Sequence, residues 1–294
     1  MGEQLLPLPK RVVFAGCAKN CAADLPAVLS NIERIATLFS DAAYVIVEND
    51  STDGTKEILA SWSRDKRNYF GVCLDGLEHA EPVRTRRLEV ARNAYIQMIL
   101  NDGGLKSFDF LILIDLDEVN AGVLDLAAIR LAAEFLIGRE SCAAVFANQR
   151  GTYYDMWALR HAQMCPNDIW EDVLDYATTN AVDDEQAFAA TFAPRIFSLN
   201  PDSEPIPVDS AFGGLGLYKI DFIARNPNPY LGYKLKLLRR REDYQCLRLQ
   251  TCEHVHFHRG LRLIGGELYI FPALINIENS TVLFSSSAYR GLTF

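Results

Sequence analysis

Residues 110–120 read FLILIDLDEVN. Leu111 to Ile114 run straight into Asp115, Leu116, Asp117 and Glu118. The apolar run has the length and side-chain type of a strand buried on both faces, as in parallel sheets. Acids at the mouth of such a strand are either a solvated strand end or oxygen ligands for a cation. Asp115 and Asp117 stand at i and i+2, so an extended backbone points both the same way. Neighbouring carboxylates repel, and a cation between them resolves the repulsion. Oxygen ligands suit Mg²⁺ or Mn²⁺, which also bridge a diphosphate. Glu118 points away from both and has no role in this arrangement.

On either side of this strand the chain alternates strand and helix. RVVFAGCA (11–18), AYVIVEND (43–50), YFGVCLD (69–75) and CAAVFANQ (142–149) are predicted strands. LPAVLSNIERIATLF (25–39), STDGTKEILASWS (51–63), RRLEVARNAYIQMIL (86–100) and LDLAAIRLAAEFLI (124–137) are predicted helices from their apolar spacing or turn signals. Repeated β-α units predict an α/β fold with a mostly parallel central sheet flanked by helices. Polar clusters fall where strands end: Lys19-Asn20, Glu48-Asn49-Asp50 and Asp115–Glu118. Open α/β sheets bind ligands at those carboxyl ends. Residues after 150 are less regular, with aromatic and glycine-rich segments and a proline-rich loop at 197–208. No linker separates the halves. One domain, 1–294, is expected, with about 10–150 binding a nucleotide and about 151–294 completing an acceptor side.

The 294 residues carry a net charge of -9, which argues against a nucleic-acid partner. No apolar run is long enough to span a bilayer, and the first residues lack a signal peptide's pattern, so a cytoplasmic protein is expected. Seven irregularly spaced cysteines suggest reduced thiols; Cys17 and Cys21 have no second pair nearby to complete a zinc site. A glycine-rich dinucleotide turn after the first strand and a P-loop are both missing.

VIVENDSTDGTKEIL (45–59), followed by FLILIDLDEVN, resembles the glycosyltransferases of the GT-A fold. In that family a D-x-D after a central strand holds a divalent metal on the diphosphate of a nucleotide sugar. The resemblance implies base contacts from Glu48, Asn49 and Asp50, with Lys19 and Asp115 also expected to bind the nucleotide sugar. RTRRLEVARN (84–93) is similar to the family's "ARN" helix, which implicates Arg86, Arg92 and Asn93 near the nucleotide. GTYYDMWALR (151–160), VDSAFGGLGLYKIDFI (208–223) and CEHVHFHRGL (252–261) resemble the layout of fungal capsule-associated mannosyltransferases and related bacterial enzymes.

CEHVHFH (252–258) reads as a strand with His254, His256 and His258 on one face. The family's C-terminal histidine points to His256 or His258 as a further metal ligand; a backbone-satisfied histidine strand and a separate zinc site are the other options. Arg259 and Arg262 follow and could neutralise a diphosphate. Tyr154, Trp157 and Arg160, with Gly213 and Gly214, suit sugar or acceptor binding, against the alternative of a packed core and a turn. Asp209, Asp155 and Glu253 are candidate catalytic bases, and Glu171 and Asp172 form another acidic pair. KLKLLRRRED (234–243) holds five basic residues between Lys234 and Arg241, a candidate contact for anionic lipid or a solvated basic face.

The expected protein is a Mn²⁺- or Mg²⁺-dependent glycosyltransferase. It moves a sugar from a nucleotide-diphosphate sugar to a glycan or lipid-linked acceptor in surface polysaccharide synthesis. A sugar nucleotidyltransferase and a non-catalytic glycan-binding protein on the same fold are the alternatives.

Overall fold

A computed structural model describes residues 6–280 other than 241 and 242. The first half alternates as the apolar spacing predicts, with one short helix, α3, added: β1 (Leu8–Ala18), α1 (Leu25–Ala36), β2 (Phe39–Glu48), α2 (Thr55–Ser63), β3 (Tyr69–Cys73), α3 (Leu77–Ala80), α4 (Arg84–Asn101), β4 (Phe110–Ile114), α5 (Leu126–Gly138) and β5 (Cys142–Gly151). The second half adds α6 (Ile169–Asn180), α7 (Asp184–Thr191), β6 (Ile206–Val208), β7 (Leu215–Lys219), α8 (Ile220–Arg225), β8 (Tyr233–Arg240), β9 (Asp243–Gln250), α9 (Glu253–Leu263) and β10 (Glu267–Ser280).

An eight-stranded sheet runs in the order β3-β2-β1-β4-β7-β5-β10-β6. β3, β2, β1 and β4 are parallel to one another. β7 is antiparallel to both its neighbours, β4 and β5. β6, β7 and β10, from after residue 151, complete the same sheet as the strands before it. β8 and β9 form a separate antiparallel pair.

Strand alternation splits the core into two layers. Leu111 and Leu113 of β4, with Val13 and Ala15 of β1, pack with Tyr95 and Ile99 of α4 and Phe257 of α9. Ile112 and Ile114, with Val12 and Phe14, pack with Ile32 of α1 and Ile129 of α5. β4 is buried along its whole length, which is why its sequence reads as an unbroken apolar run.

The segment at 252–258 is not the expected strand. It opens helix α9, whose buried residues include His254, Phe257, His258 and Leu261, at i, i+3, i+4 and i+7. His256 falls off that stripe. The apparent alternation of histidines is a coincidence of composition, and the apolar stripe facing the core decides the conformation.

One turn ties the two halves together beside the acidic strand end. Gly213 and Gly214 have φ of +67° and +82°. The Gly214 carbonyl accepts from the Asp115 N–H at 2.8 Å and from Asn120 Nδ2 at 2.9 Å. A Cβ on Gly214 would collide with Val119 Cγ1 and lie 3.1 Å from the Tyr154 hydroxyl. Gly214→Ala is expected to cost about 1–3 kcal/mol from the left-handed backbone, with the collision added. Chemical denaturation beside the wild type measures the loss; an unchanged midpoint would refute it.

Candidate functional site

β1 sits between β2 and β4, and the connections leave it in opposite directions, so the β1–β4 boundary is the sheet's switch point. A cavity of about 320 Å³ opens there. Cys17, Lys19 and Cys21 come from the end of β1, Asn49 from the end of β2, Asp115 and Asp117 from the end of β4, and Arg84, Arg87, Leu88 and Arg92 from α4. Leu116, between the two aspartates, is buried. Both acids line one cavity; Leu116 between them is buried in the core and also contributes to the cavity wall.

Arg92 organises the floor. Its guanidinium is 7% exposed, donates from Nε to Glu253 Oε1 at 2.8 Å and reaches Asp115 Oδ1 at 3.2 Å. It also donates to the Tyr95 hydroxyl at 3.1 Å and lies over the Phe212 ring at 5.1 Å. Burial pushes the Asp115 carboxyl up to about 7, against the pull of Arg92, and Asp117 adds to the rise. Asp117 Oδ1 accepts from the Val119 N–H at 3.3 Å. Among the described residues, no other residue donates to Asp115 Oδ2 or Asp117 Oδ2, so each acid keeps an oxygen for the cavity.

The α4 wall is basic. Arg84, Arg87, Leu88 and Arg92 stand at i, i+3, i+4 and i+8, one face of a helix. The sequence assignment of Arg86 and Asn93 is corrected here. Arg86 turns to Glu81 and Glu89 and lies over the Tyr233 ring. Asn93 exchanges hydrogen bonds with the Tyr230 backbone. Arg84 and Arg87 were missed, though counting back from Arg92 in helical steps reaches both Arg84 and Leu88. The first turn of α4 holds no acid. Cations there oppose the helix dipole, at about 0.3–1 kcal/mol each, and an anion in the cavity relieves the conflict.

The Glu48-Asn49-Asp50 cluster divides. Only Asn49 lines the cavity. Glu48 Oε1 accepts from the Ser51 N–H at 2.7 Å, and its Oε2 is 3.6 Å from Lys56. Asp50 accepts from the Gly76 and Glu78 N–H groups at 2.6 and 2.7 Å, which pins the loop before α3. Lys19 lines the cavity and pairs with Glu78 at 2.7 Å.

The three candidate bases are all engaged. Asp155 takes the Gly213 N–H at 2.9 Å and the Ala158 N–H at 3.2 Å, holding the glycine turn. Glu253 is committed to Arg92. Asp209 pairs with Arg262 at 2.7 Å in a different cavity. Arg160 and Arg259 lie in that other cavity too, away from Asp115. Tyr154 meets the Asp115 cluster: burial raises its hydroxyl well above the ordinary range, and the charges of Asp155, Asp115 and Asp117 add to the rise. Trp157 packs against the core.

The histidine assignments change as well. His258 is fully buried, with Nδ1 2.8 Å from Ser210 Oγ and Nε2 2.9 Å from the Tyr218 hydroxyl, so neither ring nitrogen is open to a metal. Burial and then Arg92 push it down to about 3. His256 is half-buried on another side of α9. His254, the first histidine of the segment, is buried against the Phe212 ring at 4.1 Å, with both ring nitrogens lacking a hydrogen-bond partner. Among the described residues no three His, Cys, Asp or Glu side chains form a group that could hold a metal.

The fold and this cavity together define a class: the chain has the GT-A glycosyltransferase fold, a mostly parallel sheet with an acidic strand end at its switch point. The solved structures it resembles include a mannosyltransferase from Pyrobaculum calidifontis in complex with GDP-Man and Mn²⁺, with a TM-score of 0.53 at 12% identity. That match covers 96% of this chain and 60% of the mannosyltransferase chain, so this chain spans about three-fifths of it. S. aureus TarS 1–349 matches with a TM-score of 0.45 at 14% identity, over 89% of this chain and 57% of that one. Glucosyl-3-phosphoglycerate synthase from Mycobacterium tuberculosis matches with a TM-score of 0.41 at 14% identity, over 89% and 68%. No family model and no curated protein sequence matches the chain.

Removing the buried guanidinium would strand two carboxylates. Arg92→Met is expected to cost about 3–5 kcal/mol, the penalty for breaking a buried pair. Arg92→Met combined with Glu253→Gln should recover part of it. Urea denaturation of both variants checks this, and equal stability of Arg92→Met and wild type would reject it.

Proposed function

We propose that the chain is a metal-dependent glycosyltransferase that moves a sugar from a nucleotide-diphosphate sugar to an acceptor hydroxyl. The observation carrying this reading is the meeting of two acids with three cations across one cavity: Asp115 and Asp117 facing Arg84, Arg87 and Lys19 at the switch point. A diphosphate bridged to a divalent ion satisfies both walls at once. The fold shared with a mannosyltransferase solved with GDP-Man and Mn²⁺ supports the reading.

The donor set fits Mn²⁺ or Mg²⁺. These ions take oxygen ligands, and Mg²⁺ usually binds through one or two carboxylates, with substrate phosphate and water filling the other positions. Asp115 and Asp117 would hold the ion, which when bound stabilises charge on the departing diphosphate. Arg84 and Arg87 orient the phosphates through charge-assisted hydrogen bonds. Asn49 and the end of β1 border the nucleoside. Gly213, Gly214 and Tyr154 shape the sugar side. Because Asp155, Glu253 and Asp209 are all engaged, we favour a retaining course, in which the leaving phosphate accepts the hydroxyl proton.

The acceptor we propose is a glycan or lipid-linked sugar of surface polysaccharide synthesis, met by a cytoplasmic enzyme at a membrane surface. No helix among the described residues is long and apolar enough to cross a membrane. The β8–β9 hairpin supports surface contact in a way different from the basic run. Lys234 and Lys236 turn inward to Glu171 of α6, and Lys234 also approaches Asp168 at 3.7 Å. The alternate face exposes Leu235, Leu237 and Tyr244 at 65%, 69% and 65%. Arg241 lies outside the described residues. Apolar side chains beside Arg248, which stands opposite Leu235 across the hairpin, suit an anionic bilayer surface.

Asp117→Ala should abolish Mn²⁺-dependent transfer or hydrolysis across a panel of nucleotide sugars while melting as the wild type does. Excess EDTA should do the same to the wild type. Full activity in either case rejects the reading. For the membrane contact, wild type should float with vesicles containing anionic lipid and a Leu235→Glu, Leu237→Glu double variant should not; equal flotation would rule it out.

A further inference from the structure

A second cavity, of about 460 Å³, lies on the outer side of α9 and shares no lining residue with the first. The helix presents opposite faces to two tasks. His254, Phe257, His258 and Leu261 are buried in the core. Val255, Arg259, Arg262 and Leu263, at i, i+4, i+7 and i+8, form the cavity's helical wall. Arg160, Pro166 and Asp209 form the facing wall. Arg160 and Asp209 are held in register by the backbone: the Arg160 N–H donates to the Ser210 carbonyl and the Asp209 N–H to the Arg160 carbonyl, both at 2.8 Å.

The charges here do not balance. Arg160 is matched by Asp168 at 3.0 Å and Arg262 by Asp209 at 2.7 Å. Arg262 Nη1 also donates to the Val208 carbonyl at 3.1 Å, which fixes its position at the rim. Arg259 is exposed, and no carboxylate of the described residues lies within ion-pair distance of it. An unmatched guanidinium beside a held one, on a protein of net charge -9, is a local reversal of sign. The remaining wall is apolar: Leu263 is 65% exposed, and Val255 and Pro166 flank it.

We infer that this cavity is a binding site for an anion carried on an apolar body, a phosphate or carboxylate joined to an alkyl or aryl group. Arg259 and Arg262 take the anion, because guanidinium groups match its oxygens in charge and geometry. Val255, Leu263 and Pro166 take the apolar part, whose transfer from water is favourable in proportion to the area buried. Asp209 holds the Arg262 side chain at the rim. The inference does not depend on glycosyl transfer, since the two cavities have separate walls.

The test is calorimetric titration of the whole chain with octyl phosphate, inorganic phosphate and octyl glucoside, each below micelle formation. Octyl phosphate should bind the wild type more tightly than either of the others. Arg259→Gln should weaken it on the order of tenfold or more, the size of a lost hydrogen bond between charged groups. Leu263→Ser should weaken octyl phosphate and leave inorganic phosphate unchanged. Both residues are exposed, so both variants should melt as the wild type does. Binding of nucleoside diphosphate with Mn²⁺ serves as an independent reference for each variant. Unchanged binding of octyl phosphate by Arg259→Gln, equal binding of octyl glucoside, equal binding of inorganic phosphate, or no binding of octyl phosphate by the wild type would each overturn the inference.

Discussion

The buried guanidinium of Arg92 is the constraint around which the rest is arranged. It starts on α4, touches Asp115 at the end of β4 and Glu253 at the start of α9, and is closed over by Phe212. A fully charged group at this depth persists only when its donors are met. Its own carboxylate partners are two, and Asp117 adds a third acid at the cavity edge. Burial is the main cause of the rise of Asp115 to about 7, opposed by Arg92 and reinforced by Asp117. Lys19, Arg84 and Arg87 line the same cavity, so acids and bases face one another across it.

α9 is where the two cavities come closest in logic. Its first residue fixes Arg92, its inner stripe fills the core, and its outer face carries Arg259 and Arg262. Its sequence serves three neighbours, so its core stripe carries histidines beside Phe257 and Leu261. Histidine suits the inner stripe because a neutral imidazole packs flat, as His254 does on Phe212, and can still satisfy polar partners, as His258 does with Ser210 and Tyr218.

The first half was legible in the sequence because its information is local. Up to residue 151 the strands and helices other than the short α3 show themselves in the local apolar pattern, and Asp115 and Asp117 announce themselves by following the most apolar strand. The second half was not, because its roles depend on partners far along the chain. Nothing around residues 212–219 says that β7 lies between β4 and β5. Asp155 looked like a free acid until Gly213 and Ala158 came within hydrogen-bond reach. Lys234 and Lys236 looked solvated until α6 supplied the acids that receive them. The α4 residues are the intermediate case: the family pattern drew attention to Arg86 and Asn93, while helical spacing from Arg92 would have selected Leu88 and Arg84.

The central position of β7 has a consequence for how the molecule comes into being. β4 emerges from the ribosome early, but the carbonyl that holds the Asp115 amide belongs to Gly214, on the loop leading into β7. Until then one edge of β4, apolar on both faces, has no strand beside it, the sort of exposed surface that favours misassembly in partly made chains. Pairings this distant in sequence also close late, because a long loop must be ordered first. A nascent chain stopped anywhere short of β7 would therefore carry both aspartates yet lack the Gly214 carbonyl that holds the Asp115 amide.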